Sequence, residues 1–146
     1  MTQDHPAKKR FLLAIGLGTL AGLLCVWLAA RGQPALGSPS HPIFWAILTD
    51  RMLIGMVVAL AGAYTVHPVL GFPYRPWLRG LCLGVVVSLP LGAGAMGGPA
   101  PEGVSSWVIF FATLIAGGVY GLAIDVIVSR GGAEGAALLT GADARM

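Results

Sequence analysis

The chain has 146 residues, 56% of them hydrophobic and 10% charged, against about 45–50% apolar and about 25% charged in soluble domains. That length suits one domain, and a soluble fold lacks the polar surface to cover so apolar a chain. The net charge of +3 does not point to nucleic acid, because the basic residues flank apolar runs, where they set membrane orientation.

Crossing a hydrocarbon core of about 30 Å takes about 20 apolar residues as a helix, and four runs meet that length. The first, Arg10 to Ala30, follows Lys8 and Lys9. Its basic start and Ala29-Ala30 would suit a secretory signal, but it outruns the usual apolar region of about 7–15 residues, and no A-x-A motif is present. A retained span is therefore expected. From Gly32 to Pro42 the residues Pro34, Pro39, Gly37, Ser38 and Ser40 mark a turn. The second run, Ile43 to Val66, carries Asp50 and Arg51. After a second turn from His67 to Pro76, the third run spans Trp77 to Gly94 and includes Ser88 and Pro90. Gly97 to Gly103 is a third turn, and the fourth run, Ser106 to Val128, holds Thr113 and Asp125. Residues 129–146 are Gly/Ala-rich without a helical stripe, so a mobile cytoplasmic tail is expected. The fold class is thus an all-α integral membrane protein, with one four-helix transmembrane domain over residues 1–128.

Orientation follows from the short-loop basic residues. Lys8, Lys9, Arg10, Arg75, Arg79 and Arg130 fall on one side and Arg31 on the other, which places both termini in the cytoplasm of a multi-pass cell-membrane protein. Trp27, Trp45 and Trp107 then lie near the outer boundary, with Tyr74 and Trp77 near the inner one.

A shift of 62 residues superimposes Gly18 on Gly80, Gly22 on Gly84, Trp45 on Trp107, Gly55 on Gly117 and Leu60 on Leu122. Two tandem helical hairpins in parallel repeat are one reading of that match. Gly18, Gly22, Gly55, Gly80, Gly84, Gly117 and Gly121 also fall at small-x3-small spacing, with Ala59 closing the Gly55 pair. Lipid tails are as apolar as leucine, so helices in a bilayer associate through close backbone contact, which small residues permit. Such faces serve packing within the bundle or against another chain.

Ionisable residues inside a span cost about 2.5–3.5 kcal/mol on insertion scales and mark functional positions by default. Asp50 and Arg51, with Ser88 and Thr113 at matched depth, define an intramembrane polar layer in the outer third. Adjacent helix positions do not face each other, so Asp50 and Arg51 are each expected to take a separate partner. Pro90 lacks an N–H and frees the carbonyl of Val86, marking a helix kink and an acceptor for Arg51. Asp125 lies at the inner end, level with Arg79 and Arg10, as an interfacial ion pair or part of an ion pathway.

His5, His41 and His67 each precede a proline and fall on different sides, so they do not converge on a metal. Cys25 and Cys82 sit at different depths and read as buried apolar residues rather than a disulfide. No zinc-protease, paired-cysteine or Walker pattern occurs, and the glycines from Gly16 to Gly22 lie in a span rather than after a strand. No catalytic residue, metal site or cofactor is expected. The partners expected are the lipid bilayer and other membrane subunits or further copies of the chain, not nucleic acid. The leading expectation is a non-catalytic accessory or assembly subunit of a larger membrane complex. The alternative is a small oligomeric transporter or channel for an ion or small solute, using the Asp50/Arg51 layer.

Overall fold

The computed structural model describes residues 5–98, 103–131 and 134–140. Residues 99–102 of the third turn and the tail beyond residue 140 lie outside the described residues. Four long helices follow one another: α1 (Pro6–Gly32), α2 (Pro42–Ala61), α3 (Pro76–Met96) and α4 (Ser106–Gly131), with a short α5 (Ala136–Thr140). A 3-10 turn, Pro34–Gly37, separates α1 from α2. All four long helices are long and apolar enough to cross a membrane.

Proline opens α1, α2 and α3, at the position where its missing N–H costs nothing and its fixed φ suits a helix. The histidines before Pro6 and Pro42 complete two of these starts. His5 Nδ1 accepts from the Ala7 N–H and His41 Nδ1 from the Ile43 N–H, at 3.4 and 3.3 Å. His67 Nδ1 likewise accepts from the N–H groups of Val69 and Leu70, at 3.3 and 3.1 Å. The three His-Pro pairs are therefore local backbone caps. Between α2 and α3, an isolated antiparallel bridge joins Val66 to Pro73, and Gly71 turns the chain at φ +71°.

The interior combines small residues with a few aliphatic side chains, Ile54, Val58, Ile124 and Val128, and buried charges, while most large apolar side chains face outward. Buried positions on α1 are Arg10, Ala14, Gly18, Ala21, Gly22 and Val26, a stripe at three- and four-residue spacing. Leu12, Leu20, Trp27, Trp45, Trp107 and Ile115 face outward. Trp27, Trp45 and Trp107 are all exposed near one end of the bundle, with Trp77 exposed near the other.

Close approach within each hairpin is set by glycine. A Cβ on Gly18 would strike the Arg51 backbone, one on Gly22 would meet Leu48, and one on Gly55 would strike the Ala14 carbonyl. In the second hairpin, Gly80 lies against the Gly121 carbonyl, Gly84 against that of Gly117, and Gly121 against that of Gly80. All seven glycines singled out in the sequence thus serve contacts within this chain.

The 62-residue match does not carry over to contact register. Gly18 meets Arg51, whose counterpart is Thr113, whereas Gly80 meets Gly121, eight positions further on. The second hairpin is slid by about two helical turns relative to the first.

Three boundaries differ by three or more residues from the sequence reading, the first being that of α1, which starts at Pro6 rather than Arg10. α2 ends at Ala61 rather than Val66, because the chain turns at Gly62 and enters the Val66–Pro73 bridge. Ser129 to Gly131, assigned from sequence to the tail, continue α4. Beyond them, residues 134–140 fold back on the bundle: the Gly135 N–H donates to the Gly62 carbonyl, and Leu138 is buried.

Candidate functional site

Among the described residues, two buried polar clusters lie along the bundle. The larger is at the end where α1 starts and α4 finishes. Its centre is Asp125, which is wholly buried. Asp125 Oδ1 accepts from Arg10 Nη2 at 2.7 Å, Arg79 Nη2 at 2.8 Å and Ser129 Oγ at 3.1 Å, while Oδ2 accepts from Arg79 Nε at 2.7 Å. The carboxylate is therefore gripped side-on by one guanidinium and capped by a second, the arrangement that gives charge-assisted bonds their strength.

The arginines are themselves fully engaged. Arg10 Nε and Nη2 donate to the carbonyls of Ala59 and Val58, at 3.2 and 3.4 Å, and Nη1 to Ser129 Oγ at 3.2 Å. Val58 and Ala59 belong to the last turn of α2, where carbonyls lack a full set of intrahelical partners and a positive charge is favoured. Arg10 thus caps α2 from α1. Gly62 makes room for it, since a Cβ there would collide with the guanidinium. Arg79 Nη1 donates to the Tyr64 carbonyl at 2.8 Å, and Nη2 also reaches Glu134 Oε1 at 2.7 Å. Gly80, beside Arg79, is required for Asp125 to fit: a Cβ on it would stand 2.8 Å from the Asp125 Cβ. In the connection before α3, burial lifts the Tyr74 phenol above its ordinary value, with the nearby Cys82 and Asp125 adding to the effect and Arg79 opposing it.

The second cluster is at the middle of α2. Because that helix runs from Pro42 to Ala61, Asp50 and Arg51 fall at its midpoint, about 12–15 Å from either end at 1.5 Å per residue. Arg51 Nη1 donates to Asp50 Oδ2 at 2.6 Å and to Ser88 Oγ at 2.7 Å, and Ser88 Oγ donates to the same Asp50 oxygen at 2.9 Å. The separate partners expected for Asp50 and Arg51 are not what is found. The long Arg51 side chain folds back so that both neighbours converge on Ser88 of α3, which spares either charge a lone burial. Arg51 also lies over the Tyr120 ring, 5.4 Å from its centroid, a cation–π distance. Its Nε is buried without an acceptor among the described residues.

Two members of the expected layer stand apart. Thr113 Oγ1 donates to its own helix, at the Ile109 carbonyl 2.8 Å away. Pro90 and Val86 face outward while Ser88 faces inward, so the carbonyl freed by Pro90 is not among the acceptors of Arg51. α3 continues through Pro90 to Met96.

The structure adds Ser129, Glu134, Gly62 and the Tyr64 carbonyl to the first cluster and Tyr120 to the second. Ser129 lies four residues after Asp125, one helical turn on, a spacing that carried the signal. Glu134 carried none. Gly117 joins packing to chemistry, because a Cβ there would collide with Ser88 Oγ. Two shallow depressions on the bundle, one lined by Ala7, Phe11, Ala59, Leu60 and Leu138, the other by Ile15, Met52, Leu53 and Met56, include none of Asp50, Arg51, Ser88 or Asp125.

Fold and site together define, among the described residues, an all-helical chain of four membrane-compatible helices joined at one end by a buried network of Arg10, Arg79 and Asp125, with the half-buried Glu134 at its edge. Compared with known proteins, it matches no family model, no curated protein and no solved structure.

Proposed function

We propose that the chain is an integral membrane protein, with both termini in the cytoplasm, that acts as a non-catalytic accessory or assembly subunit of a larger membrane complex. One observation carries this reading. Asp50, Arg51 and Asp125 are each ion-paired inside the bundle, and large apolar side chains face outward from all four helices. Charges spent on one another hold a shape rather than receive a solute, and an apolar exterior suits lipid or the helices of other subunits. The experiment is gentle detergent extraction of the native complex followed by native mass analysis. Co-purification with defined membrane subunits is expected; recovery only as isolated copies of this chain overturns the reading.

A small oligomeric transporter or channel is the second reading, favoured by the unpartnered Arg51 Nε at mid-helix. In liposomes, solute flux abolished by Asp50→Asn would support it over the first.

A further inference from the structure

Glu134 is unlike the other three charges of the large cluster. Arg10, Arg79 and Asp125 are sealed, whereas the Glu134 side chain keeps 28% of its surface exposed. Its contact is also surplus to the hydrogen bonding of Arg79. The Nη2 nitrogen has two N–H bonds but three acceptors: Asp125 Oδ1, Ser129 Oγ at 3.3 Å and Glu134 Oε1. With Glu134 removed, Nε, Nη1 and Nη2 of Arg79 each keep an acceptor. What changes is charge: Arg10, Arg79, Asp125 and Glu134 sum to zero, and without Glu134 the three that remain sum to +1.

We propose that the Glu134 carboxylate occupies an exchangeable anion-binding site on Arg79, and that a phosphate-class anion takes its place when residues 134–140 lift from the bundle. The segment is held by the Arg79–Glu134 ion pair, the Gly135-to-Gly62 hydrogen bond and the buried Leu138. Glu134 acts as an intramolecular competitor whose tether gives it a high effective concentration. An incoming phosphate oxygen meets the same guanidinium edge, at the bundle end where lipid headgroups would lie in the proposed topology. That source of phosphate rests on the membrane reading, while the anion site itself does not.

The test compares the full chain with Glu134→Gln and Leu138→Gln in neutral detergent. The first removes the competing charge; the second keeps it but loosens the segment, so misfolding of one variant leaves the other to decide. Native mass spectrometry measures bound phosphatidylglycerol against phosphatidylcholine, and calorimetry measures inorganic phosphate. Both variants should bind phosphatidylglycerol about fivefold more tightly than the unaltered chain, the affinity equivalent of one partly screened ion pair, with phosphatidylcholine unchanged. A parallel gain for inorganic phosphate assigns the site to the phosphate group itself; a gain confined to the lipid assigns it to the headgroup with its chains. Unchanged affinity for both anions, or an equal gain for phosphatidylcholine, overturns the proposal.

Discussion

Arg79 holds Asp125 side-on, Nε and Nη2 each donating to a different carboxylate oxygen, at 2.7 and 2.8 Å, with both side chains fully buried. The pair joins α3 to α4, and Arg10 extends it to α1 and to the last turn of α2. One carboxylate therefore ties together all four long helices.

Removing that carboxylate leaves two buried guanidinium groups facing each other with Glu134 alone to balance them. Asp125→Ala should lose about 3–5 kcal/mol of stability, the usual cost of stripping one partner from a buried ion pair. Denaturant unfolding in detergent, followed by circular dichroism, measures it. A loss below about 1 kcal/mol, the range of an exposed pair, would show that the network is not sealed.

Asp50 and Arg51 provide a different test, because they form a pair that an apolar replacement can mimic. Asp50→Leu alone strands Arg51 and should destabilise strongly, whereas Asp50→Leu combined with Arg51→Met should recover most of the loss. The coupling in a double-mutant cycle is expected to exceed about 1 kcal/mol. Additive losses would mean that the two charges act independently.

The glycines divide into those that touch backbone and those that do not. Gly84→Ala and Gly121→Ala drive a Cβ against a carbonyl of the facing helix, a contact that rotamer changes cannot relieve, and should each cost about 1–3 kcal/mol. Gly16 has nothing within 4 Å of such an atom, so Gly16→Ala should be neutral or stabilise by up to about 1 kcal/mol through helix propensity. Thermal unfolding of the three variants side by side checks the contrast, and equal losses in all three would contradict the packing described.

Topology is open to labelling. In a background lacking Cys25 and Cys82, Ser40→Cys on the exposed connection between α1 and α2 should react with an impermeant maleimide from outside the cell. Reaction from the cytoplasmic side alone would reverse the orientation.

The number and order of the long helices were legible in the sequence, because sustained apolar length and proline–glycine punctuation are local properties. The small-residue spacing of the glycines and the matched depth of Asp125, Arg79 and Arg10 can be read there too, because both come from counting along helices. Tertiary structure decided the rest. Asp50 and Arg51 pair despite being neighbours, since Ser88 on another helix supplies the point where both converge. The two hairpins share a glycine pattern yet close in different registers, because register depends on which carbonyl each glycine faces. Glu134 reaches Arg79 only because the chain folds back after α4, and no period or motif announces a contact made across 55 positions. Hydropathy is written residue by residue along the chain; the partners of a buried charge are set by where the other helices come to rest.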